Sequence, residues 1–282
     1  MQKPGRVRQW DLCKHAPIGV QKLMNRGYQH DFSLAYESMH SVEDRQRKAS
    51  TMLAILREAL GDGLAAADAL NLGCSTGIID EFLAAHVATM IGVDIDEPAI
   101  ELASGRRVAQ NLEFRLDDAM NLSFADGSFD IVICSQVYEH VPDPDRMMVE
   151  IYRVLRPGGV CYFAATNRWA LVEKHHRLPF LSWLPPRCAD LYMRLMGKGE
   201  AYYERHLGYW SLRRLISRFR MEEWTGKVLD TPERYAAEYM MGGRFKRLTA
   251  QLLFRVLRPL FPGFIWLLWK PRPASTASDQ VE

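Results

Sequence analysis

A short glycine-containing turn is the part of this sequence best suited to hold a small molecule. The turn spans Asn71-Leu72-Gly73-Cys74-Ser75-Thr76-Gly77, between an apolar run and a helix-like segment. Glycines let the backbone approach a ligand closely. A dinucleotide-binding turn, however, needs glycine at the positions of Ser75 and Ile78 to admit a pyrophosphate. The pattern therefore indicates a ligand-binding turn and disfavours NAD.

Carboxylates follow the next two apolar runs. Asp94, in Val93-Asp94-Ile95-Asp96, can accept hydrogen bonds from both hydroxyls of a ribose. In Asp117-Asp118-Ala119, a carboxylate can accept from the adenine amine while the Ala119 amide donates to a ring nitrogen. An acid at a strand end often serves only as a helix cap. In order at successive strand ends, however, the turn and the acids predict an adenosine pocket.

The elements that position these residues follow from periodicity. Short apolar runs at 69–72, 90–93, 112–116, 131–134 and 160–165 alternate with helix-like segments at 77–86, 97–109 and 144–155. This alternation predicts an α/β fold, with a parallel sheet and helices on both faces. A helical stripe at 45–60 precedes it. Further along, the sequence predicts a helix at 211–219 capped by Ser211, a strand near 221–228, a helix at 245–257 and a last strand at 264–270.

Three segments are expected from composition and rhythm. Residues 1–60 form an N-terminal helical extension, and residues 61–270 form the main domain. Within it, 167–210 is an irregular or helical insertion, rich in aromatic residues, prolines and histidines, that covers the substrate. Residues 271–282, with Ser, Thr, Pro and Ala, are expected to be a disordered tail. The five cysteines contain no C-x-x-C pair and are expected to be free thiols.

Three further stretches carry a family resemblance. They are Asp126-Gly127-Ser128-Phe129-Asp130-Ile131-Val132, Glu139-His140-Val141, and Arg153-Val154-Leu155-Arg156-Pro157-Gly158-Gly159. Together with the glycine turn, they make residues 69–166 resemble the class I S-adenosylmethionine-dependent methyltransferases. The resemblance implies a Rossmann-like sheet of seven strands, the last antiparallel. It also implies S-adenosylmethionine as cofactor and S-adenosylhomocysteine as product.

The resemblance also assigns roles within the pocket. Gly73 and Gly77 would approach the methionine part of the cofactor, Asp94 would hold the ribose, and Asp118 with Ala119 would contact adenine. Ser135 and Gln136 fall where the family lines the methyl-donor pocket. The full expected cofactor set is Asn71, Gly73, Cys74, Ser75, Gly77, Asp94, Ile95, Asp118, Ala119, Ser135 and Gln136. Asn71 replaces the family's usual acid, and Ser75 replaces its middle glycine.

Methyl transfer from a sulfonium is an in-line displacement, so the protein's main task is to hold the acceptor. For a hydroxyl acceptor a base is useful, and His140 is the first candidate because its usual pKa is near neutral. Capping of its loop is an equally good interpretation. Glu139 could orient His140 or bind a divalent cation, although a solvated carboxylate is the better interpretation. His175 in the insertion is a second candidate base. No metal site is predicted.

The acceptor is expected to be a small molecule, a glycan or a lipid-linked intermediate methylated on oxygen. A non-catalytic cofactor-binding scaffold is the alternative that Asn71 and Ser75 keep open. An RNA methyltransferase is a weaker one, because 36 basic against 34 acidic residues disfavour a nucleic-acid partner. With no secretory signal or membrane span evident, a cytoplasmic location is expected. Residues 244–269, apolar and basic, could rest on an anionic membrane.

Overall fold

The computed structural model describes Ser33 and residues 39–273 of the 282. Most of the N-terminal extension, with its cluster of basic residues, and the tail from 274 lie outside the described residues. The described chain contains a seven-stranded sheet in the order β3-β2-β1-β4-β5-β7-β6. Strand β7 runs antiparallel to both of its neighbours, while the strands from β3 to β5 pair in parallel. The expected sheet with an antiparallel last strand is confirmed.

The strands lie close to the predicted runs. Their bounds are β1 Asp68–Leu72, β2 Thr89–Asp94, β3 Leu112–Leu116, β4 Phe129–Ser135, β5 Leu155–Thr166, β6 Arg220–Glu223 and β7 Gly263–Trp269. Strand β1 pairs with β2 on one side and with β4 on the other. The chain therefore reverses its direction of winding at β1, and the crevice at the carboxyl ends of β1 and β4 is where such sheets bind ligands.

Eight α-helices occur in the described part of the chain. They are α1 Val42–Leu60, α2 Ile78–Ala84, α3 Glu97–Arg106, α4 Pro144–Val154, α5 Pro186–Leu195, α6 Tyr209–Leu215, α7 Thr225–Asp230 and α8 Arg244–Val256. Short 3-10 turns lie at Gly61–Ala66, Leu181–Trp183, Pro232–Tyr235, Glu238–Met240 and Arg258–Leu260. The Ser41 side chain caps α1 by accepting from the Asp44 amide, and the helix ends at Gly61 in a positive-φ conformation.

Each central strand contributes to two cores. Leu70 and Leu72 of β1 pack with one buried cluster, and Ala69 packs with the cluster on the opposite face. In β4 the same alternation separates Val132 from Ile133. Side chains of a strand alternate between faces, so a strand buried on both sides must be apolar throughout. This is why the strands are near-continuous apolar runs in the sequence.

The second half of the sheet departs from the prediction in detail. Helix α6 begins after Gly208, so Ser211 lies inside the helix and is not its N-cap. The strand predicted at 221–228 ends at Glu223, and α7 follows from Thr225. The Glu223 carboxylate accepts from the Thr225 and Gly226 amides and starts the helix there. Apolar residues at 224, 228 and 229 therefore belong to a buried helix, which periodicity did not separate from a strand.

Four cysteines lie among the described residues. Cys74, Cys134 and Cys161 are buried, and Cys188 on α5 is exposed. None of the four is in a disulfide, as expected. Burial raises the pKa of the Cys134 and Cys161 thiols. In the described part of the chain, no helix is both long and apolar enough to cross a bilayer.

Candidate active site

A cavity of about 1650 Å³ lies at the carboxyl ends of β1, β2 and β4. Gly73, Asp94 and Ser135 contribute to its wall from the three strand ends, as the sheet topology requires. Residues from α1, from the insertion after β5 and from α8 close the other sides. The volume exceeds the roughly 300–1,000 Å³ usual for a small-molecule site, so the cavity has room for two ligands side by side.

Asp94 is held rigidly at the end of β2. Its Oδ2 accepts from the Ser75 amide at 2.8 Å and its Oδ1 accepts from the Asp96 amide at 3.1 Å. Burial raises the pKa of Asp94 to about 6, although these two amides oppose the rise. Ser75, Asp94, Ile95 and Asp96 all line the cavity. The carboxylate predicted to bind ribose therefore faces the cavity with its orientation fixed.

The predicted adenine contact is divided between two residues. Ala119 and Asp117 lie on the cavity wall. Asp118 is buried but is not among the lining residues, and its Oδ1 accepts from the Met120 amide at 2.8 Å. In this structure the Asp118 carboxylate shapes the turn after β3 and does not face the cavity, so the wall beside Ala119 offers the Asp117 side chain instead.

Asn71 is tied to a buried acid that sequence reasoning missed. The Asn71 Nδ2 donates to both carboxylate oxygens of Asp80 on α2, at 3.1 and 3.0 Å. Burial raises the pKa of Asp80 to about 7, against the hydrogen bond from Asn71 and the charge of Arg45. The carboxylate that the family usually carries on β1 is thus present nine residues later, behind Asn71. A carboxylate therefore still lies behind the glycine turn, although Asn71 stands where the family usually has an acid.

Two cations of α1 also reach the cavity and were not predicted. Arg45, Lys48 and Met52 share one face of the helix and line the wall. Burial lowers the pKa of Arg45, while the charges of Asp80 and Asp94 act to raise it. Desolvation, with the neighbouring Arg45, lowers the pKa of Lys48 to about 8. Arg45 and Lys48 are three residues apart on the helix that precedes the glycine turn, and this spacing was the sequence signal that both could face the cavity.

Cys74 and Gly77 do not line the cavity. Cys74 is buried, and burial raises the pKa of its thiol. Gly77 has φ of 75°, and a Cβ there would lie 2.4 Å from Phe114 Cζ and 2.9 Å from Ala103 Cβ. Its role is close packing of α2 against β3 and α3. Gly73, by contrast, lines the cavity, with φ of 66°.

Ser135 and Gln136, at the end of β4, both lie on the wall. Gln136 adopts φ of 60°, which is strained for a residue with a side chain. The backbone amide of Gln136 donates to Ala164 O at 2.9 Å, and its side-chain Oε1 accepts from Thr166 Oγ1 at 2.5 Å. Ties to β5 therefore hold the turn in this conformation and aim it into the cavity.

His140 also lines the cavity, whereas Glu139 does not. Burial, with the adjacent His175, lowers the pKa of His140 to about 4, so the ring is neutral at physiological pH. The two rings meet edge to face, with centroids 4.9 Å apart. Glu139 is buried, and desolvation raises the pKa of its carboxyl. The structure thus brings His140 and His175, 35 residues apart in the chain, to one spot.

The insertion supplies most of the remaining histidines and acids at this end. His175 Nδ1 lies 2.8 Å from Glu173 Oε1, and His176 Nε2 lies 3.3 Å from Glu204 Oε2. Burial alone would lower the pKa of His175, but the hydrogen bond and charge of Glu173 raise it. Glu173, Glu204 and His206 are buried acids and a buried base that the sequence analysis did not single out.

Comparison with known proteins identifies the fold and family. Residues 70–163 match the family model described as a methyltransferase domain. A ubiquinone biosynthesis O-methyltransferase of Thiobacillus denitrificans is 31% identical over 176 residues, which cover 59% of this chain and 70% of that protein. The chain belongs to the class I S-adenosylmethionine-dependent methyltransferase family.

Other matches in this methyltransferase family are shorter or more distant. The enzyme of the same name from Coxiella burnetii is 37% identical over 101 residues, covering 35% of this chain and 43% of that one. The chain therefore spans less than half the length of this relative. An S-adenosylmethionine-dependent methyltransferase structure from Mesorhizobium loti has a TM-score of 0.51 at 17% identity, and the alignment covers 78% of this chain and 97% of that one. That likeness concerns the fold.

The cavity fits the family's cofactor, S-adenosylmethionine. On the wall beside Asp94, two buried oxygens, Ser75 Oγ and Asp96 Oδ1, have no hydrogen-bond partner among the described residues. Buried polar atoms are normally paired, so these oxygens suit the hydroxyls of a ribose. Arg45 provides a cation for a carboxylate, and Asn71 provides an amide oxygen for an ammonium group. Charge and hydrogen-bonding capacity thus match both the nucleoside and the amino-acid ends of the cofactor.

Proposed function

We propose that this protein transfers the methyl group of S-adenosylmethionine to a hydroxyl oxygen of a small-molecule or lipid-linked acceptor. The observation that carries the proposal is the continuity of the cavity. Residues suited to the cofactor, such as Asp94, and the candidate bases His140 and His175 line one and the same cavity. Two relatives are named ubiquinone biosynthesis O-methyltransferase, which supports oxygen as the methylated atom.

In this mechanism the cofactor supplies an electrophilic methyl group on a sulfonium, and the protein supplies position and a proton acceptor. Asp94 would hold the ribose of the cofactor, and Arg45 would hold its carboxylate. A near-attack arrangement contributes most of the rate in a displacement of this kind. His140, neutral at physiological pH, is the residue that would take the acceptor proton, and its pKa of about 4, below the near-neutral value expected from the sequence, makes it a weak base. Its contact with His175 fixes the ring.

The acceptor end of the cavity is basic. Lys48, Lys174, His176, Arg177 and Lys198 line the cavity near the candidate bases or on α1. Burial lowers the pKa of Lys48 to about 8, with a further contribution from the charges of Arg45 and Lys174, so these cations repel one another. A negatively charged group on the acceptor relieves this repulsion, and the same field acidifies an acceptor hydroxyl. We therefore expect an acceptor that carries a carboxylate or a phosphate.

A lipid-linked acceptor is supported by helix α8. Phe245, Leu252 and Val256 are each about two-thirds exposed or more, and Arg244 and Arg258 lie at the ends of the same segment. Phe245 also lines the cavity, so the apolar surface is continuous with its wall. An exposed apolar stripe with basic residues suits an anionic membrane surface. Contact there would open the cavity toward lipid.

Calorimetric titration with S-adenosylmethionine and S-adenosylhomocysteine tests the cofactor. Micromolar affinity, about −8 kcal/mol, is expected. No binding of either compound would contradict the proposal, and binding without turnover of any hydroxyl acceptor would favour the scaffold alternative. His140→Ala is expected to lower turnover of a labelled methyl group while leaving cofactor affinity unchanged. His86→Ala is the matched control, because His86 lies on the surface beside Arg57.

Vesicle sedimentation tests the membrane contact. The protein is expected to bind vesicles containing phosphatidylglycerol and to bind purely zwitterionic vesicles weakly. The Phe245→Ser, Leu252→Ser variant is expected to lose this binding. Val108→Ser is the control, because Val108 is a highly exposed apolar residue on a different part of the surface. Equal binding of both variants would contradict the role of α8.

A further inference from the structure

Three side chains, two of them buried, converge beside the cavity in a manner that suits a metal ion. Glu173, His175 and His206 each place one ligand atom within 4.8 Å of the others. Glu173 Oε1 lies 2.8 Å from His175 Nδ1 and 3.5 Å from His206 Nε2. The side chains of Glu173 and His206 are each 1% exposed. Glu173 and His206 are closed off from solvent, and His175 lies on the cavity wall. The set therefore differs from a cluster of acids on the surface.

A second observation points to a missing ligand. Both carboxylate oxygens of Glu139 and the Nδ1 of His206 are buried without a hydrogen-bond partner among the described residues, and the Nε2 of His206 has the long 3.5 Å contact with Glu173. Leaving a buried polar group unpaired is unfavourable. The two side chains also interact electrostatically. An ion held by His206 would satisfy the ring and would favour ionisation of the nearby Glu139 carboxyl.

The backbone brings the ligands together from two parts of the chain. A bridge between Val172 and Pro179, with the Glu173 amide donating to Leu178 O at 3.0 Å, folds the loop that carries Glu173 and His175. The Arg205 amide donates to Glu139 O at 2.9 Å and sets the next residue, His206, beside this loop. The site is thus held by hydrogen-bonded backbone before any ion binds.

We propose that Glu173, His175 and His206 bind one divalent transition-metal ion, zinc being the ion that best suits the set. Two imidazoles and one carboxylate are ligands of zinc and its neighbours, whereas magnesium and calcium take mostly oxygen. Three protein ligands leave a coordination position open, as in catalytic zinc sites. Glu204, whose pKa is held low by His176 despite burial, adds negative charge around the site. The sequence-based expectation did not include this site.

The three ligand atoms must adjust to hold one ion. Metal–ligand bonds of about 2.0–2.1 Å in a tetrahedron place ligand atoms about 3.3 Å apart. The distance from Glu173 Oε1 to His206 Nε2 is already 3.5 Å, and that to His175 Nδ1 must lengthen from 2.8 Å. The two imidazoles, whose ligand atoms lie within 4.8 Å of each other, must approach by rotation about their side-chain bonds.

The role of the ion rests on the proposed function. Next to the cavity, a divalent cation lowers the pKa of a nearby acceptor hydroxyl by stabilising the developing oxyanion. The O–H bond then breaks with its proton passing to His140. An oxygen lone pair forms the new O–CH₃ bond, and the C–S bond breaks with its electrons remaining on sulfur. Binding of the ion itself does not depend on this reaction.

The test is titration of chelator-treated full-length protein with Zn²⁺ by calorimetry and with Co²⁺ by visible absorption. One ion per chain is expected, with a Kd of micromolar or below and the cobalt bands of a nitrogen-containing site. His206→Ala is expected to weaken binding by about 100-fold or more, and Glu173→Gln similarly, since each removes one of three ligands. His86→Ala is expected to bind like the wild type. Circular dichroism checks that each variant is folded.

Absence of saturable binding to the wild type overturns the metal site, whatever the variants do. Equal affinity in folded His206→Ala also overturns it. Titration of the chelated wild type with S-adenosylhomocysteine separates the two proposals. Cofactor binding without metal binding refutes only the metal site, and metal binding without cofactor binding refutes only the proposed function.

Discussion

Replacing Gly77 by alanine tests whether the second glycine of the turn serves packing or the cofactor. The structure indicates packing, because the new Cβ would meet Phe114 Cζ at 2.4 Å and Ala103 Cβ at 2.9 Å. The positive φ of 75° adds about 1–2 kcal/mol for any residue with a Cβ. Overpacking adds about 1–3 kcal/mol. Gly77→Ala should therefore lower the free energy of unfolding by about 2–5 kcal/mol.

Urea unfolding followed by circular dichroism measures this loss of stability. A second variant separates the contribution of the contact with Phe114 from that of the positive φ. Phe114→Leu removes Cζ and Cε1, the two atoms nearest the new Cβ. In the Phe114→Leu background, Gly77→Ala should cost at least about 1 kcal/mol less than it does alone. Gly105→Ala is the matched control, because nothing lies within 4 Å of its added Cβ. This helical position should gain up to about 1 kcal/mol.

A loss below about 1 kcal/mol in Gly77→Ala would refute the packing argument, as would a cost unchanged by Phe114→Leu. If Gly77 instead contacts the cofactor, the variant would keep its stability and lose affinity for S-adenosylhomocysteine. Calorimetry below the unfolding transition distinguishes the two outcomes.

Three further predictions concern the same end of the cavity. Ser75→Gly should stabilise the protein by about 1 kcal/mol in urea unfolding, because Ser75 has φ of 51° and an unpaired buried hydroxyl; a loss of stability would contradict this. Asp94→Asn should weaken S-adenosylhomocysteine binding about 10- to 100-fold by calorimetry, and unchanged affinity would exclude the ribose contact. Burial raises the pKa of Asp80 from 3.8 to about 7, so the folded state binds more protons than the unfolded state across that range. The free energy of unfolding should fall by up to about 4 kcal/mol as the pH rises from 4 to 7. Asp80→Asn should make it less dependent on pH, and unfolding measured at each pH checks this.

The sequence predicted those parts of the fold that depend on local pattern. The central strands β1, β4 and β5 are apolar runs because both of their faces are buried, and the turn at Gly73 needs positive φ. The pattern did not separate a buried helix from a strand near Trp224, since both are apolar over a few residues. In that region the Glu223 carboxylate favours a helix, because it accepts a hydrogen bond from the Thr225 amide at the start of α7.

The candidate site was predictable where its residues lie at strand ends and not where they meet across the fold. Asp94 and Ala119 follow strands, so topology alone brings them to one edge. Arg45 enters from α1, and His206 is 31 residues from His175 with no motif joining them. Their convergence depends on helix packing and on the hydrogen bond from Arg205 to Glu139. Spacing in the sequence contains no signal for such contacts.

The distribution of cysteines makes the insertion accessible to spectroscopy. Buried thiols with raised pKa carry little thiolate and react slowly, which describes Cys74, Cys134 and Cys161. Cys188, exposed on α5, is the reactive thiol in the described part of the chain. With Cys13 replaced by serine, a maleimide fluorophore would attach selectively to the segment that carries the acceptor-side histidines. Its emission could then follow movement of that segment as ligands enter, with no loss of a side chain from the cavity.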